Sequence, residues 1–587
     1  MSGIGLVLNI AKDALAAQRY GINVTGHNIA NVNTEGYSRQ RPVYDARQPV
    51  PYGGFLLGQG VDTSEIMRLS DQFIENRLAQ QNSSMLSFEE MESYMQVLEG
   101  LFSEDSESSI SALLADFWNM WHDVANNPSG TSERIALYEH SVSLSEQFNA
   151  LYTDLTQIET DLTNAVSAGV GKINEITAEI ARINNEIVGM EVDKTANDLR
   201  DKRNTLVSEL SGYLDVKAFE QSNGSLTVIT ARGCVLVSGN ESYDLELGGD
   251  NGNRVLCQGS GGTTTDITDY IANGKLGGWL NMRDEVIPEY KLDLDALAKE
   301  LIWAVNQQHS QGVGLEAFST VTGTFGVSDI LEELGMQDSG LDYQEKISTG
   351  SFNVWVYDSN GVVVGGLPTV ISVSDAEPGG TTLNDIANGI NAIANISANI
   401  TADGKLQIDA DPGYTFAFSD DTSNVLAALG INTFFTGASA GGMGINDVIS
   451  SDKNYIAAGQ VDANGRFATG DNTNALAMTD LQYTSVDIAD WTCDRRNGSI
   501  QGSVNATLEE YYHAMVGSIG IESSNISRGR SFNEIMFNKL GEIRDSISAV
   551  SLDEEMTNLI KFQHSYTAAT KLISVADEML DTLLSTK

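Results

Sequence analysis

Cysteine is scarce, with three residues in 587. A disulfide framework of the kind that staples small secreted domains needs more. Cys234 and Cys257 can pair only if a β-domain brings them together, and the chain reads as carrying three separate reduced thiols. Proline is also rare, at 8 residues, so little interrupts long helices. The six histidines are dispersed, with no H-E-x-x-H spacing and no Cys/His cluster, so no metal and no other cofactor is expected. Positive charge is in deficit: 34 Lys+Arg stand against 80 Asp+Glu, a formal net charge of −46. A chain without a cationic footprint cannot neutralise phosphates, which argues against nucleic acid, and it is poorly matched to anionic lipid. No uncharged run of about 18 apolar residues occurs, so no membrane insertion is expected. The apolar stretch 4–11 and the triplet 14–16 have no basic region ahead of them, and Lys12 and Asp13 interrupt them. They read as a mature helix, not a signal peptide.

Other things are plentiful. Hydrophobic residues make up 41% of the chain, enough for packed cores, and 56 glycines fit turn-rich β regions beside the helices. At roughly 150 residues per domain the length allows about four domains.

The two ends are patterned alike. Ile4, Leu8, Ala11, Leu15, Gln18, Ile22 and Ile29 follow a four–three spacing, a coiled-coil seam with one polar interruption. That helix should stop at Asn28, Asn31 and Asn33, whose side chains bond nearby backbone, and Gly36 then permits a turn. At the other end Leu559, Phe562, Tyr566, Ala569, Ile573, Ala576, Leu580 and Leu583 keep the alternation unbroken, with no Gly or Pro after Ser551. A buried Leu or Ile contributes about 1.5–3 kcal/mol only if something covers it. Two terminal helices can cover each other on one side each. Periodicity alone favours an intramolecular pair closing the fold, while a protein built to assemble would leave the remaining surface for its neighbours.

The residues add to the periodicity. The stretch 27–40, HNIANVNTEGYSRQ, resembles the N-terminal signature of bacterial flagellar rod, hook and hook-associated axial proteins. The stretch 553–584, DEEMTNLIKFQHSYTAATKLISVADEMLDTLL, resembles the C-terminal signature of the same superfamily. Within it, Gly36-Tyr37-Ser38-Arg39-Gln40, Leu552-Asp553-Glu554-Glu555 and Asp577-Glu578-Met579-Leu580-Asp581 resemble the hook-associated protein 1 family. Glu35 stands where many relatives carry proline, which predicts a less rigid corner.

Between the ends, Gly58-Gln59-Gly60-Val61 lacks the further glycine and the Lys-Ser/Thr pair of a phosphate loop and reads as a turn leading into a helix. A long seam from Leu144 through Phe148, Leu155, Leu162 and Val166 to Ile187 predicts one long helix, with Gly169 a weak point on it. It should pack against helices from 70–122. Trp118 and Trp121, just before the Asn126–Gly130 loop, read as core anchors. Residues 196–214 predict a further helix. Residues 216–272 turn β-like, with Asn223-Gly224 as a hairpin signal, and 276–310 return to helix. A second insertion predicts a hairpin at 351–364 around Asp358, a helix at 382–396, a strand pair around Asp403-Gly404 and a short helix at 424–429. Gly437-Ala438-Ser439-Ala440-Gly441 fits a G-x-S-x-G elbow, but the segment is made of small residues and its flanks, Phe434-Phe435 and Gly442-Met443-Gly444, do not argue for a strand leading into a helix. Asp409, Asp411, Asp420 and Asp421 read as solvated turn carboxylates, and Glu554-Glu555 as an exposed acidic helix start.

The fold expected is α+β multidomain: terminal coiled-coil helices and a long helical bundle, with inserted mainly-β outer domains. The plan is nested. Residues 1–50 with 545–587 form a terminal coiled-coil axial domain. Residues 51–215 with 276–312 and 500–544 form a helical bundle domain. Residues 216–275 are an inserted β-domain, 315–445 a second inserted α/β outer domain, and 446–499 a return segment assigned to no domain.

The resemblance implies a non-enzymatic structural protein of the flagellum at the hook–filament junction, secreted through the flagellar type III apparatus. It implies self-assembly into a ring, with the hook protein and a second junction protein as neighbours and an export chaperone on the C-terminal helix. On that reading Leu559, Phe562, Tyr566, Ile573, Leu580 and Leu583, with Ile4, Leu8, Leu15 and Ile22, form the assembly stripe. Asn28, Asn31, Gly36 and Tyr37 shape the exit from the first helix.

Overall fold

The computed structural model describes residues 2–52, 54–104, 108–191, 195–249, 252–259 and 262–586. Thirteen α-helices follow one another along these residues: α1 (Ser2–Ala30), α2 (Gln72–Leu101), α3 (Ile110–Asn126), α4 (Thr131–Met190), α5 (Asn197–Tyr213), α6 (Gly274–Asn281), α7 (Ile287–Ser310), α8 (Leu383–Asn391), α9 (Val425–Ala428), α10 (Asp447–Ser451), α11 (Thr473–Asp480), α12 (Leu508–Ser548) and α13 (Leu552–Ser585). Small antiparallel sheets lie between them. The chain divides into two compact units.

The first unit holds residues 1–94, 161–282 and 524–587. Here α1 lies along α13. A β-ribbon, Gln40–Ala46 paired with Val61–Arg68, lies along α1 as well, with a register shift at Val43/Tyr44. This ribbon is not legible in the sequence, because its residues alternate only partly and its outer side is exposed. The residues around Gly60 therefore lead into a strand before any helix begins. The second half of α4 buries Leu162, Val166, Ile173, Ile180 and Ile187. Gly169 does not break it: the helix continues, and a Cβ there would stand 2.7 Å from the Trp279 ring. The glycine makes room for α6. The β insert forms a four-stranded sheet over 216–242, including the expected hairpin at Asn223-Gly224, and a three-stranded sheet over 245–266. Cys234 and Cys257 are disulfide-bonded, with Cα atoms 6.6 Å apart. This overturns the expectation of three separate thiols. The two residues are 23 positions apart in sequence, and only the folding of one sheet against the other brings them together.

The second unit holds residues 95–160 and 283–523. Ser109 caps α3, accepting from the Ala112 N–H at 3.2 Å, and α3 buries Phe117, Trp118 and Trp121. These rings meet Phe434 and His309 in one aromatic cluster. Arg134, 1% exposed, is held by carbonyls alone: Pro128, Lys453 and Ile456. The insertion contains two three-stranded sheets. The Asp358 turn forms, but its return is a single bridge, Tyr357 to Val363. The strand Gly350–Tyr357 pairs instead with Thr369–Val373 and Thr415–Ser419. A capping box of Thr382 and Asp385 starts α8, which ends at Asn391 because Asn395 turns at φ 68° and Ile396 opens a strand. The segment 446–499 lies in this unit. It runs into a second ribbon, Val486–Asp494 with Gly498–Ala506, that packs on α7. The sequence missed it because its outer strand, GSIQGSVNA, is exposed on both faces and carries no apolar alternation.

Candidate functional site

The two terminal signatures meet in one buried polar hub. The helix α1 ends beside Asn28, which is 1% exposed. Its Oδ1 accepts from the Tyr37 hydroxyl at 2.7 Å and the Gln40 N–H at 3.0 Å. Its Nδ2 donates to the Gln40 carbonyl at 2.9 Å and to Glu555 Oε2 at 3.1 Å. Arg39 donates from Nε to Glu555 at 2.8 Å and from a terminal nitrogen to Glu554 at 2.6 Å, while its N–H donates to the Ser548 carbonyl at 2.9 Å. Glu555 is 2% exposed, so the expectation of an exposed acidic pair holds for Glu554 and fails for Glu555. A buried carboxylate needs partners to offset its lost hydration, and Asn28 and Arg39 supply them.

The third member of the hub is α5. Asp201 accepts from the Ser38 N–H at 3.0 Å and from Arg68 at 2.8 Å. Burial raises its carboxyl above the usual range, and those two donors pull it back. Asp198 accepts from Gln40 Nε2 at 2.9 Å. Burial, then the nearby carboxylates of Asp198, Asp201 and Glu555, push the Tyr37 hydroxyl upward, so it stays a neutral donor. Gly36 stands at φ 76° in a turn closed by the Tyr37 N–H on the Thr34 carbonyl, and a Cβ there would meet Thr205 Oγ1 at 2.3 Å. Asn31 touches none of Asn28, Glu555 or Arg39: it donates to the His27 carbonyl at 3.0 Å and accepts from the Thr34 hydroxyl at 3.1 Å. Below the turn a cavity of about 400 Å³ opens between Tyr37, Leu78, Val207 and Phe537. Ser548 Oγ and the half-buried Glu75, whose carboxyl burial raises, also line it. The sequence did not point to Glu555, Asp198, Asp201 or Arg68; the acidic pairs and the ANDLRDKR run were the available signals.

The expected stripe residues divide by environment. Ile4, Leu8, Leu15 and Ile22 are half-buried on α1, and Leu559, Phe562, Ile573 and Leu580 are half-buried on α13. Gly21 faces the Phe562 ring, where a Cβ would stand 2.9 Å away, so the helices touch closely at this level. Tyr566 and Leu583 are exposed. Because α1 is covered by α13 and by the ribbon, Tyr20 is its only exposed large hydrophobic residue among the described ones. In contrast, α13, packed along α1, keeps large apolar residues exposed. Leu552, Met556 and Ile560, at spacing four, remain exposed in its first half. Leu572, Val575, Met579 and Leu583 remain exposed in its second half, Leu584 beside them at 70%. At 100° per residue these two groups fall on opposite flanks of the covered seam. In the part of α12 that belongs to this unit, Phe532, Ile535, Met536, Ile543 and Ile547 are exposed too. Soluble monomers rarely leave so many large apolar side chains open on neighbouring turns.

Ser439 has extended backbone (φ −153°, ψ 164°) between a two-residue strand and a short 3-10 turn, unlike a strained elbow. Among the described residues no group of three His, Cys, Asp or Glu is placed to hold a metal ion. Asp421 caps the Ser423 and Leu426 N–H groups, and Asp409 accepts from Thr320. No described helix is long and apolar enough to cross a membrane.

Comparison with known proteins agrees with this geometry. Three family models match: "Flagella basal body rod protein" over residues 8–37, "Flagellar hook-associated protein FlgK helical domain" over 95–324, and "Flagellar basal body rod FlgEFG protein C-terminal" over 545–586. The chain is an axial protein of the bacterial flagellum. Full-length relatives refine this. The flagellar hook-associated protein 1 of Bacillus subtilis is 24% identical, covering 100% of this chain and 99% of its own length. Those of Salmonella typhimurium and Escherichia coli K12 are 26% and 25% identical, each match covering 99% of both chains. The chain belongs to the flagellar hook-associated protein 1 family. A solved structure of the flagellar hook junction protein FlgK from Burkholderia pseudomallei shares the fold, with TM-score 0.52, 17% identity, and coverage of 81% of this chain and 100% of that one.

Proposed function

We propose that this protein is a structural, non-catalytic subunit of the bacterial flagellum that joins hook to filament outside the cell. The observation that carries the reading is the uncovered side of α13, anchored by a hub that both terminal signatures build. An isolated helix exposing Leu552, Met556, Ile560, Leu572, Val575 and Met579 gains about 25 cal/mol for each Å² of that surface a neighbour covers. Copies of the same chain are the natural cover. Hook protein and a second junction protein would meet the two open ends of the assembly. Before assembly the same exposed flanks are a binding site for an export chaperone, which would shield them from aggregation. The half-buried seam residues Leu559, Phe562, Ile573 and Leu580 would hold α13 in place, and Ile4, Leu8, Leu15 and Ile22 would do so from α1. The nested domain plan is part of this proposal.

Deletion of the gene tests it. Electron microscopy of the cells should show complete hooks without filaments, and flagellin should accumulate in the medium as monomer. Normal filaments would overturn the reading, and absent hooks would move the protein to the rod or hook.

A further inference from the structure

The β insert is small, and the seven strands among its described residues lie in two separate sheets. Cys234 follows the Thr230–Gly233 turn, where the Gly233 N–H bonds the Thr230 carbonyl at 2.9 Å and Gly233 stands at φ 88°. It leads into the strand Val235–Ser238 of the four-stranded sheet and is half-buried. Cys257 is 3% exposed in Arg254–Gln258, the middle strand of the three-stranded sheet, opposite Leu245 and Thr265. The bond therefore ties one sheet to the other, and its two sulfurs differ in their access to solvent. Nothing in the assembly surface on α13 requires it.

We infer that this pair is an oxidisable staple with a fixed order of attack: Cys234 is the receiving thiol, Cys257 the resolving one, and the staple closes after the chain leaves the reducing cytosol. A small-molecule disulfide, RSSR, is the oxidant. The Cys234 thiolate attacks one of its sulfurs, forming a mixed disulfide and expelling RS⁻, which takes up the proton that Cys234 lost. The Cys257 thiolate then attacks the Cys234 sulfur, forming the intramolecular bond and expelling the second RS⁻, again protonated. Two protein thiols are oxidised by two electrons and one RSSR becomes two RSH. The order follows from exposure, because an external disulfide reaches the turn at Cys234 and not the covered middle strand. The timing follows from compartment, since cytosolic thiols are kept reduced. The timing alone rests on the reading of the protein as part of an external appendage.

The test uses the full chain carrying Cys493→Ser, which removes the third, buried thiol. The reduced protein is incubated with oxidised glutathione, quenched in acid and mapped by peptide mass. Cys257→Ser should trap glutathione on Cys234, while Cys234→Ser should take it up at Cys257 at least tenfold more slowly. In the protein with both cysteines the adduct on Cys234 should appear transiently before closure, a readout that does not depend on either variant folding. First appearance of the adduct on Cys257, or a mixed disulfide that never closes, would overturn the order. Acid-trapped protein from the cytosol should carry two free thiols and protein from sheared appendages none. Thiols in both pools would overturn the timing. Absence of the chain from the appendages would refute the proposed function and leave the order of attack standing.

Discussion

Asn28→Ala is the sharpest test of the hub. The side chain makes four hydrogen bonds, at 2.7, 2.9, 3.0 and 3.1 Å, and every partner is in the buried join between α1, the ribbon and α13. A net hydrogen bond contributes about 1 kcal/mol, and a buried group left unpaired loses about 1–3 kcal/mol. Removing Asn28 leaves the Gln40 N–H without its acceptor and the Tyr37 hydroxyl likewise. It takes one of two partners from Glu555, whose remaining partner, Arg39, keeps that carboxylate from being stranded. The sum is about 3–4 kcal/mol. At 1.4 kcal/mol per factor of ten, local opening of the terminal helix pair should rise a few-hundred-fold. Native-state hydrogen exchange of the full chain reads this directly, because amides in α1 and α13 report opening of that pair separately from the second unit. Asn31→Ala is the control. Its side chain bonds only the local residues His27 and Thr34 and is half-buried, so it should change exchange by less than about tenfold. Equal effects of the two substitutions, or none from Asn28→Ala, would refute the hub as the link between the termini.

Other expectations concern the seam, the surface and the second unit. Met579→Asp and Val575→Asp, on the exposed side of α13, should leave monomer melting unchanged while abolishing filament attachment and weakening chaperone binding. Leu580→Asp, on the seam, should lower assembly and terminal-helix protection together, with the second unit unaffected; unchanged motility and chaperone affinity would sink this. Gly169→Ala should destabilise despite a helix-propensity gain of about 1 kcal/mol, because the new methyl meets Trp279 at 2.7 Å in a packed join; a rise in melting temperature would show that the ring moves away freely. Burial raises Asp293 to about 7, with Asp490 and Glu289 adding to it and the Trp491 N–H and Tyr511 opposing. The folded state then holds a proton that the unfolded chain gives up near its ordinary value of about 4, so this contribution is full below that value and is lost as pH rises to about 7. Thermal melts at pH 5 and pH 8 should show the second unit more stable at pH 5, and Asp293→Asn should flatten the difference.

Much of this molecule was written in local pattern. The unbroken seam over Leu144 to Ile187 dictates a helix because any other backbone would scatter those side chains, and α4 is that helix. The seams at the two ends, the Asn-rich exit after α1 and the small helix after Asn424 were legible for the same reason. The signatures at 27–40 and 553–584 identified the flagellar axial class before any contact was known. Tertiary structure decided what pattern cannot carry. Periodicity says that a face is apolar, not what covers it, and the unforeseen ribbon on α1 is why the open stripe belongs to α13. Glu555 looks like any acidic helix start until folding sets it against Asn28 and Arg39, more than 500 residues away. Cys234 and Cys257 look like isolated thiols until two sheets close on each other. In each case the deciding interaction joins residues remote in sequence, and its energy comes from burial that only the folded chain creates.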